Sequence, residues 1–161
     1  MVQIKPPLGS KGAGVAGCTC FKLRRLTRRV TAVYDRALSA AGMRVTQYSL
    51  LSHLRGLQGV PISQLAQMLD MDRTTLTRNL GPLLEAGWIA VAPSSDDARI
   101  RLVHITPSGD AQWQSARIHW RRAQDEVNAT IGPANLAGLH QMLDSYVPLF
   151  RPAAGSEGDG E

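Results

Sequence analysis

Several things are scarce in this chain. Only two of its 161 residues are cysteines, Cys18 and Cys20, and they stand two apart. On a helix that spacing points the side chains in different directions, so they do not readily bridge each other. Neither histidine nor further cysteine lies close enough to complete a zinc site, so no metal and no cofactor is expected. The reading that remains is a pair of reduced thiols in a cytoplasmic protein. No apolar run approaches the roughly 18 residues a membrane span needs, and no membrane partner is expected. The N-terminus lacks the apolar core of a signal peptide. The histidines (His53, His104, His119 and His140) are scattered over separate segments. No HExxH, GxSxG, P-loop or dinucleotide-binding motif occurs, which argues against an enzyme.

What is present is an apolar fraction of 43%, enough for a real core, and a net charge of +5. An excess of positive charge favours anionic partners, nucleic acid first. The length suits one domain with extensions.

Residues 1–17 hold Pro6-Pro7, Gly9, Gly12, Gly14 and Gly17 and read as a flexible lead. From Cys18 to about Ala40, Cys20, Leu23, Leu26, Val30, Val33 and Ala37 recur at helical spacing. Lys22, Arg24, Arg25, Arg28, Arg29 and Arg36 lie largely off that stripe and read as a solvated basic face or a source of field steering. A second helix is expected from Val45, capped by Thr46, with Leu50, Leu51, Leu54 and Leu57 inward and Gly56 and Gly59 closing it. A short extended piece, Val60-Pro61-Ile62, leads to a third helix capped by Ser63, with Leu65, Met68 and Leu69 inward.

Only Asp70 and Met71 separate that helix from Asp72, whose carboxylate suits an N-cap. Met71 and Leu76 then have the spacing of a hydrophobic staple. Leu76, Leu80 and Leu83 form an inward stripe, and the opposite face carries Arg73, Thr74, Thr77 and Arg78, with Thr75 near its edge. Hydroxyls and guanidinium forks reach phosphates and base edges, so two helices joined by a tight turn predict a helix-turn-helix. Gly87 supplies the helix stop. Pro82 breaks a local rule: an interior proline costs about 3 kcal/mol, and a bend or loosened turn is expected near Arg78.

Trp88-Ile89-Ala90-Val91 and Ile100 to Ile105 read as two strands around the polar turn 93–99. Such a hairpin behind a helix-turn-helix is a wing. Arg99 at its tip suits a minor groove, with Asp97 placed to hold it. Thr106-Pro107 starts a long helix to about Thr130 with Trp113, Ala116, Trp120, Ala123 and Val127 on one stripe. Gly132-Pro133 breaks it, and a last helix carries Leu136, Leu139, Leu143, Val147 and Phe150. The expected fold is mainly α with a small β-hairpin. Residues 18–44 and 107–150 form dimerisation helices around a winged helix-turn-helix at 45–106, and 151–161 is a disordered tail. Pairing of the flanking helices across a two-fold axis would match DNA readers that bind two half-sites.

The run Val45-Thr46-Gln47-Tyr48-Ser49-Leu50-Leu51, the segment Asp72 to Arg78, Glu85-Ala86-Gly87-Trp88-Ile89 and the wing Asp97-Ala98-Arg99 to Ile105-Thr106 resemble the MarR family of bacterial transcriptional regulators. The resemblance covers about residues 18–150. It implies a homodimeric repressor that binds the double-stranded DNA of a palindromic operator and is released by a small, often aromatic or phenolic acid. Carried over residue by residue, it assigns DNA contact to Arg73, Thr74, Thr75, Thr77 and Arg78 in the reading helix and to Asp97 and Arg99 in the wing. Pro82 departs from the pattern, as does Ala98, where a basic residue is frequent. Trp113, Trp120, Tyr34 and Tyr48 offer themselves either as an aromatic-acid pocket or as core.

A narrower resemblance, through Cys20-Phe21-x-Leu23 and Tyr34, is to the peroxide-sensing OhrR-like branch. It implies a thiol at Cys20 supported by the Tyr34 hydroxyl and a response to oxidative stress. Val45 stands where that branch has a second tyrosine. A winged helix used only for protein contacts is the remaining alternative.

Overall fold

The computed structural model describes residues 17–150. The expected N-terminal lead and C-terminal tail lie outside the described residues, apart from Gly17. Among the described residues there are six α-helices: α1 (Thr19–Leu38), α2 (Val45–Leu54), α3 (Ile62–Met68), α4 (Arg73–Glu85), α5 (Pro107–Ile131) and α6 (Pro133–Tyr146). Three short strands, β1 (Val60–Pro61), β2 (Ile89–Pro93) and β3 (Arg101–Ile105), form an antiparallel sheet in the order β1-β3-β2. The wing strands pair from Ile89 with Ile105 to Pro93 with Arg101, and Val60 pairs with Val103 at the other edge. No helix is long and apolar enough to cross a membrane among the described residues.

The core lies where α2, α3, α4 and the sheet meet the end of α1 and one side of α5. Leu38, Leu51, Leu54, Leu65, Leu76, Leu80, Leu83 and Val103 are its largest fully buried side chains. The inward stripe of α4 is as expected. Removing one such leucine side chain costs about 2–5 kcal/mol.

Several local expectations need correction. The N-cap of α2 is Arg44, not Thr46. The free N–H groups are taken by two other side chains: Gln47 of the first turn accepts from Arg44 N at 2.8 Å, and Asp35 of α1 accepts from Val45 N at 2.8 Å. Leu57 is exposed because α2 ends at Leu54 and Gly56 turns the chain with φ +86°, which takes Leu57 off the helical stripe. Tyr48 joins the core instead. α3 begins at Ile62 directly after β1, so Ser63 lies inside its first turn. Its inward residues are Leu65 and Ala66, with Met68 exposed. At Pro82, where a bend or loosened turn is expected, α4 continues as one helix. The buried Leu80 and Leu83 on either side hold the turn in which the bond to the Arg78 carbonyl is missing.

The long helices differ along their lengths. α1 packs on α5 through its C-terminal half, where Val30, Val33 and Tyr34 are partly covered, whereas residues 18–29 are all exposed. α6 has no buried residue, and Met142, Leu143, Tyr146 and Phe150 stand open.

Candidate DNA-binding surface

The helix-turn-helix is built by two closures in succession. α3 ends on Asp70, a non-glycine residue at φ +47°. Its N–H returns to the Gln67 carbonyl at 3.2 Å, and that of Met71 returns to the Ala66 carbonyl at 2.9 Å. This pairing satisfies the last free carbonyls of a helix, and aspartate is among the few residues that tolerate the left-handed conformation it needs. Two residues later Asp72 caps α4, its Oδ1 accepting from Thr75 N at 2.7 Å. Hydrogen bonds from Thr75 hold the Asp72 carboxyl below the usual carboxylate range, so it is charged at the positive end of the α4 dipole.

With Leu76, Leu80 and Leu83 inward, α4 presents Arg73, Thr74, Thr77 and Arg78 to solvent, and Thr75 is half-buried at the edge. Thr77 Oγ1 donates back to the Arg73 carbonyl at 2.8 Å, which commits its proton to the helix and leaves its lone pairs outward. The ion pairs among the described residues are Arg36–Glu126 and Arg55–Asp110, so the guanidinium groups of Arg73, Arg78 and Arg99 are not held by carboxylates there. In the wing, Asp97 does not pair with the Arg99 guanidinium. Its carboxylate accepts from Arg99 N at 2.9 Å and shapes the loop backbone, which Ser94 N closes on the Ile100 carbonyl at 2.8 Å. Arg101 is exposed on β3, a position that reads in the sequence only as a strand residue.

Cys20 and Tyr34 do not meet within one chain. Fourteen residues of α-helix span about 21 Å. The Tyr34 hydroxyl donates to Gln124 Oε1 at 2.8 Å, and burial raises its pKa. Cys20 is exposed, in the first turn of α1. The expected support of this thiol by Tyr34 is therefore absent from the single chain.

The aromatic residues are packing rather than a cavity lining. Tyr48 stacks on Trp113 (5.7 Å between centroids, 11°) and on Trp120 (5.6 Å, 17°), and Arg55 lies 4.0 Å over Trp113. Trp113 Nε1 donates to Ser52 Oγ at 2.7 Å. This stack joins α2 to α5 at the base of the reading module.

Comparison with known proteins agrees with this geometry. A family model described as MarR family matches residues 41–100. The chain is 32% identical over 133 residues to the multiple antibiotic resistance protein MarR of Salmonella typhimurium, covering 78% of this chain and 91% of that protein. It is 31% identical over 143 residues to the transcriptional activatory protein BadR of Rhodopseudomonas palustris, covering 84% and 82%. Among solved structures, a Mycobacterium tuberculosis transcriptional regulator in complex with DNA superimposes with a TM-score of 0.65 at 35% identity, covering 80% of this chain and 97% of that one. A mutant E. coli MarR complexed with operator DNA superimposes with a TM-score of 0.72 at 22% identity, covering 79% and 91%, a likeness of fold.

Proposed function

Since the chain belongs to the MarR family and is a DNA-binding transcriptional regulator, we propose that it acts as a homodimeric repressor that reads a palindromic operator and is released by a small ligand. The observation that carries this reading is the outward face of α4. Arg73, Thr74, Thr77 and Arg78 stand exposed on a helix anchored by three buried leucines and started by the Asp72 cap. Thr75 at its edge and Arg99 on the wing, with the loop shaped by Asp97, complete the surface. A second copy supplies the cover that the exposed apolar face of α6 and the first half of α1 lack. Two copies related by a two-fold axis carry two reading helices, which is what a palindrome requires. The ligand is of the aromatic or phenolic acid class. That class is the one the family resemblance implies; the solved regulator PcaV of Streptomyces coelicolor, similar in fold, is in complex with its natural ligand.

A gel shift at two salt concentrations tests the reading. A site selected from random DNA should be palindromic and bind with a steep salt slope. Binding without sequence preference would leave only a protein-contact role for the winged helix.

The thiol reading rests on the narrower resemblance through Cys20, which stands in the first turn of α1, exposed in the single chain. Cys20→Ser decides it: loss of peroxide-induced release from DNA supports a sensor, and an unchanged response removes it.

A further inference from the structure

We propose that Thr106 and Gly109 are positioning residues that fix the angle between α4 and α5, and thereby the half-site separation the protein prefers. The inference rests on the dimeric reading above. Gly87, at φ +69°, turns the chain so that Trp88 N and Gly87 N return to the carbonyls of Leu83 and Leu84 at 2.9 and 3.0 Å. That closing turn is then gripped from α5. Thr106 N donates to the Trp88 carbonyl at 3.0 Å. The Thr106 hydroxyl donates to the Gly87 carbonyl at 2.7 Å and accepts from Gly109 N at 3.0 Å. One hydroxyl thus serves the last turn of one helix and the first turn of the other, which requires a group that both donates and accepts.

Gly109 closes the joint from the opposite side. A Cβ there would overlap the Trp88 carbonyl oxygen and stand 2.8 Å from its carbon and 3.0 Å from Ile105 Cγ1. The obstacle is backbone, held by Thr106 and by the end of α4, so no side-chain rotation relieves it. Among the other described glycines, a Cβ at Gly59 meets ordinary contacts from 3.5 Å and the rest have open space. The same end of α5 also holds α2: Asp110 accepts from Arg55 Nε at 2.5 Å, and Trp113 donates to Ser52. The reading module is therefore mounted on the first turns of α5, a helix of 25 residues, about 37 Å long. Half-sites repeat about every 34–36 Å. A few ångströms of displacement at each α4 amounts to about one base-pair step of 3.4 Å.

The test measures affinity against half-site spacing. The parent first selects its site from random DNA, and versions one or two base pairs longer or shorter are then titrated with the parent, Thr106→Val, Thr106→Ser and Gly109→Ala. Circular dichroism and sedimentation accompany each titration. Thr106→Val should bind about tenfold more weakly at the parent spacing, the loss one misread base pair gives, while changing little at the other spacings. Thr106→Ser should restore the parent profile, and Gly109→Ala should move or flatten the optimum. An unchanged profile, or a uniform loss at every spacing in all variants, overturns the inference and leaves Thr106 and Gly109 as ordinary structural residues. If Gly109→Ala does not fold, the Thr106 pair decides alone. If the parent selects no paired half-sites, the dimeric reading fails first and this inference falls with it.

Discussion

The Asp97 carboxylate accepts the backbone N–H of Arg99 at 2.9 Å, so the tip of the wing is held by a main-chain bond rather than by a salt bridge. The arginine side chain is left outward while its backbone is fixed. Asp97→Ala should loosen the loop and weaken operator binding by about 0.5–1.5 kcal/mol, the net worth of an ordinary hydrogen bond. Asp97→Asn keeps a carbonyl acceptor and should stay near the parent. Equal losses in both variants would mean that the charge of Asp97, not its bond to Arg99, matters.

Arg78→Ala and Arg99→Ala remove exposed guanidinium groups that make no ion pair among the described residues. Neither should change the unfolding transition. If the arginine reads a base edge, its removal should cost about 1–3 kcal/mol of operator affinity and relax specificity at one position. If it holds a phosphate, its removal should lower the salt slope by about one. Titrations on the selected site and on random duplex separate the two. Parent-like binding by both variants would show that the α4 face and the wing tip lie off the DNA.

Much of this surface is readable in the sequence because its determinants are local. Asp72, Leu76, Leu80, Leu83, Gly87 and, as the cap of α5, Thr106-Pro107 are recognisable from residues within a turn or two, where spacing and capping chemistry speak directly; the reach of Thr106 to Gly87 and Trp88 is not. What escapes depends on partners distant along the chain. The N–H groups at the start of α2 are met by Asp35 of the preceding helix. The Tyr34 hydroxyl goes to Gln124, ninety residues on, rather than to a thiol. Gly109 shows no signal until the Trp88 carbonyl is known to face it. Periodicity says which face of a helix is apolar, not what will lie against it. For the same reason the stripe of α6 reads as apolar without showing its cover: among the described residues Leu136 and Leu139 are only partly covered and Leu143 is exposed.

Leu143 is 42% exposed on α6, so a charge there is tolerated by the folded chain but not by an apolar contact between copies. Leu143→Glu should keep the parent circular dichroism spectrum and sediment as a monomer. Operator affinity should fall by about a hundredfold, the avidity that disappears when two linked sites become one. A variant that still sediments as a dimer would take α6 out of the interface.

Asp70 offers the most direct test of the turn itself. At φ +47° it closes α3 in a conformation that costs an L-residue roughly 1–2 kcal/mol, with aspartate toward the tolerant end. Glycine removes that strain but gives the unfolded chain more freedom, and the two effects partly cancel. Asp70→Gly should therefore raise stability by about 0.5–1 kcal/mol, seen as a higher Tm, with operator affinity unchanged because the turn keeps its shape. Asp70→Val has the opposite problem: a β-branched side chain fits this region poorly, so the turn must open or strain. Its Tm should fall, and operator affinity should fall with it, since Asp72 starts α4 only two residues later. A lower Tm in Asp70→Gly would mean that the Asp70 side chain stabilises the turn by more than its backbone strain costs.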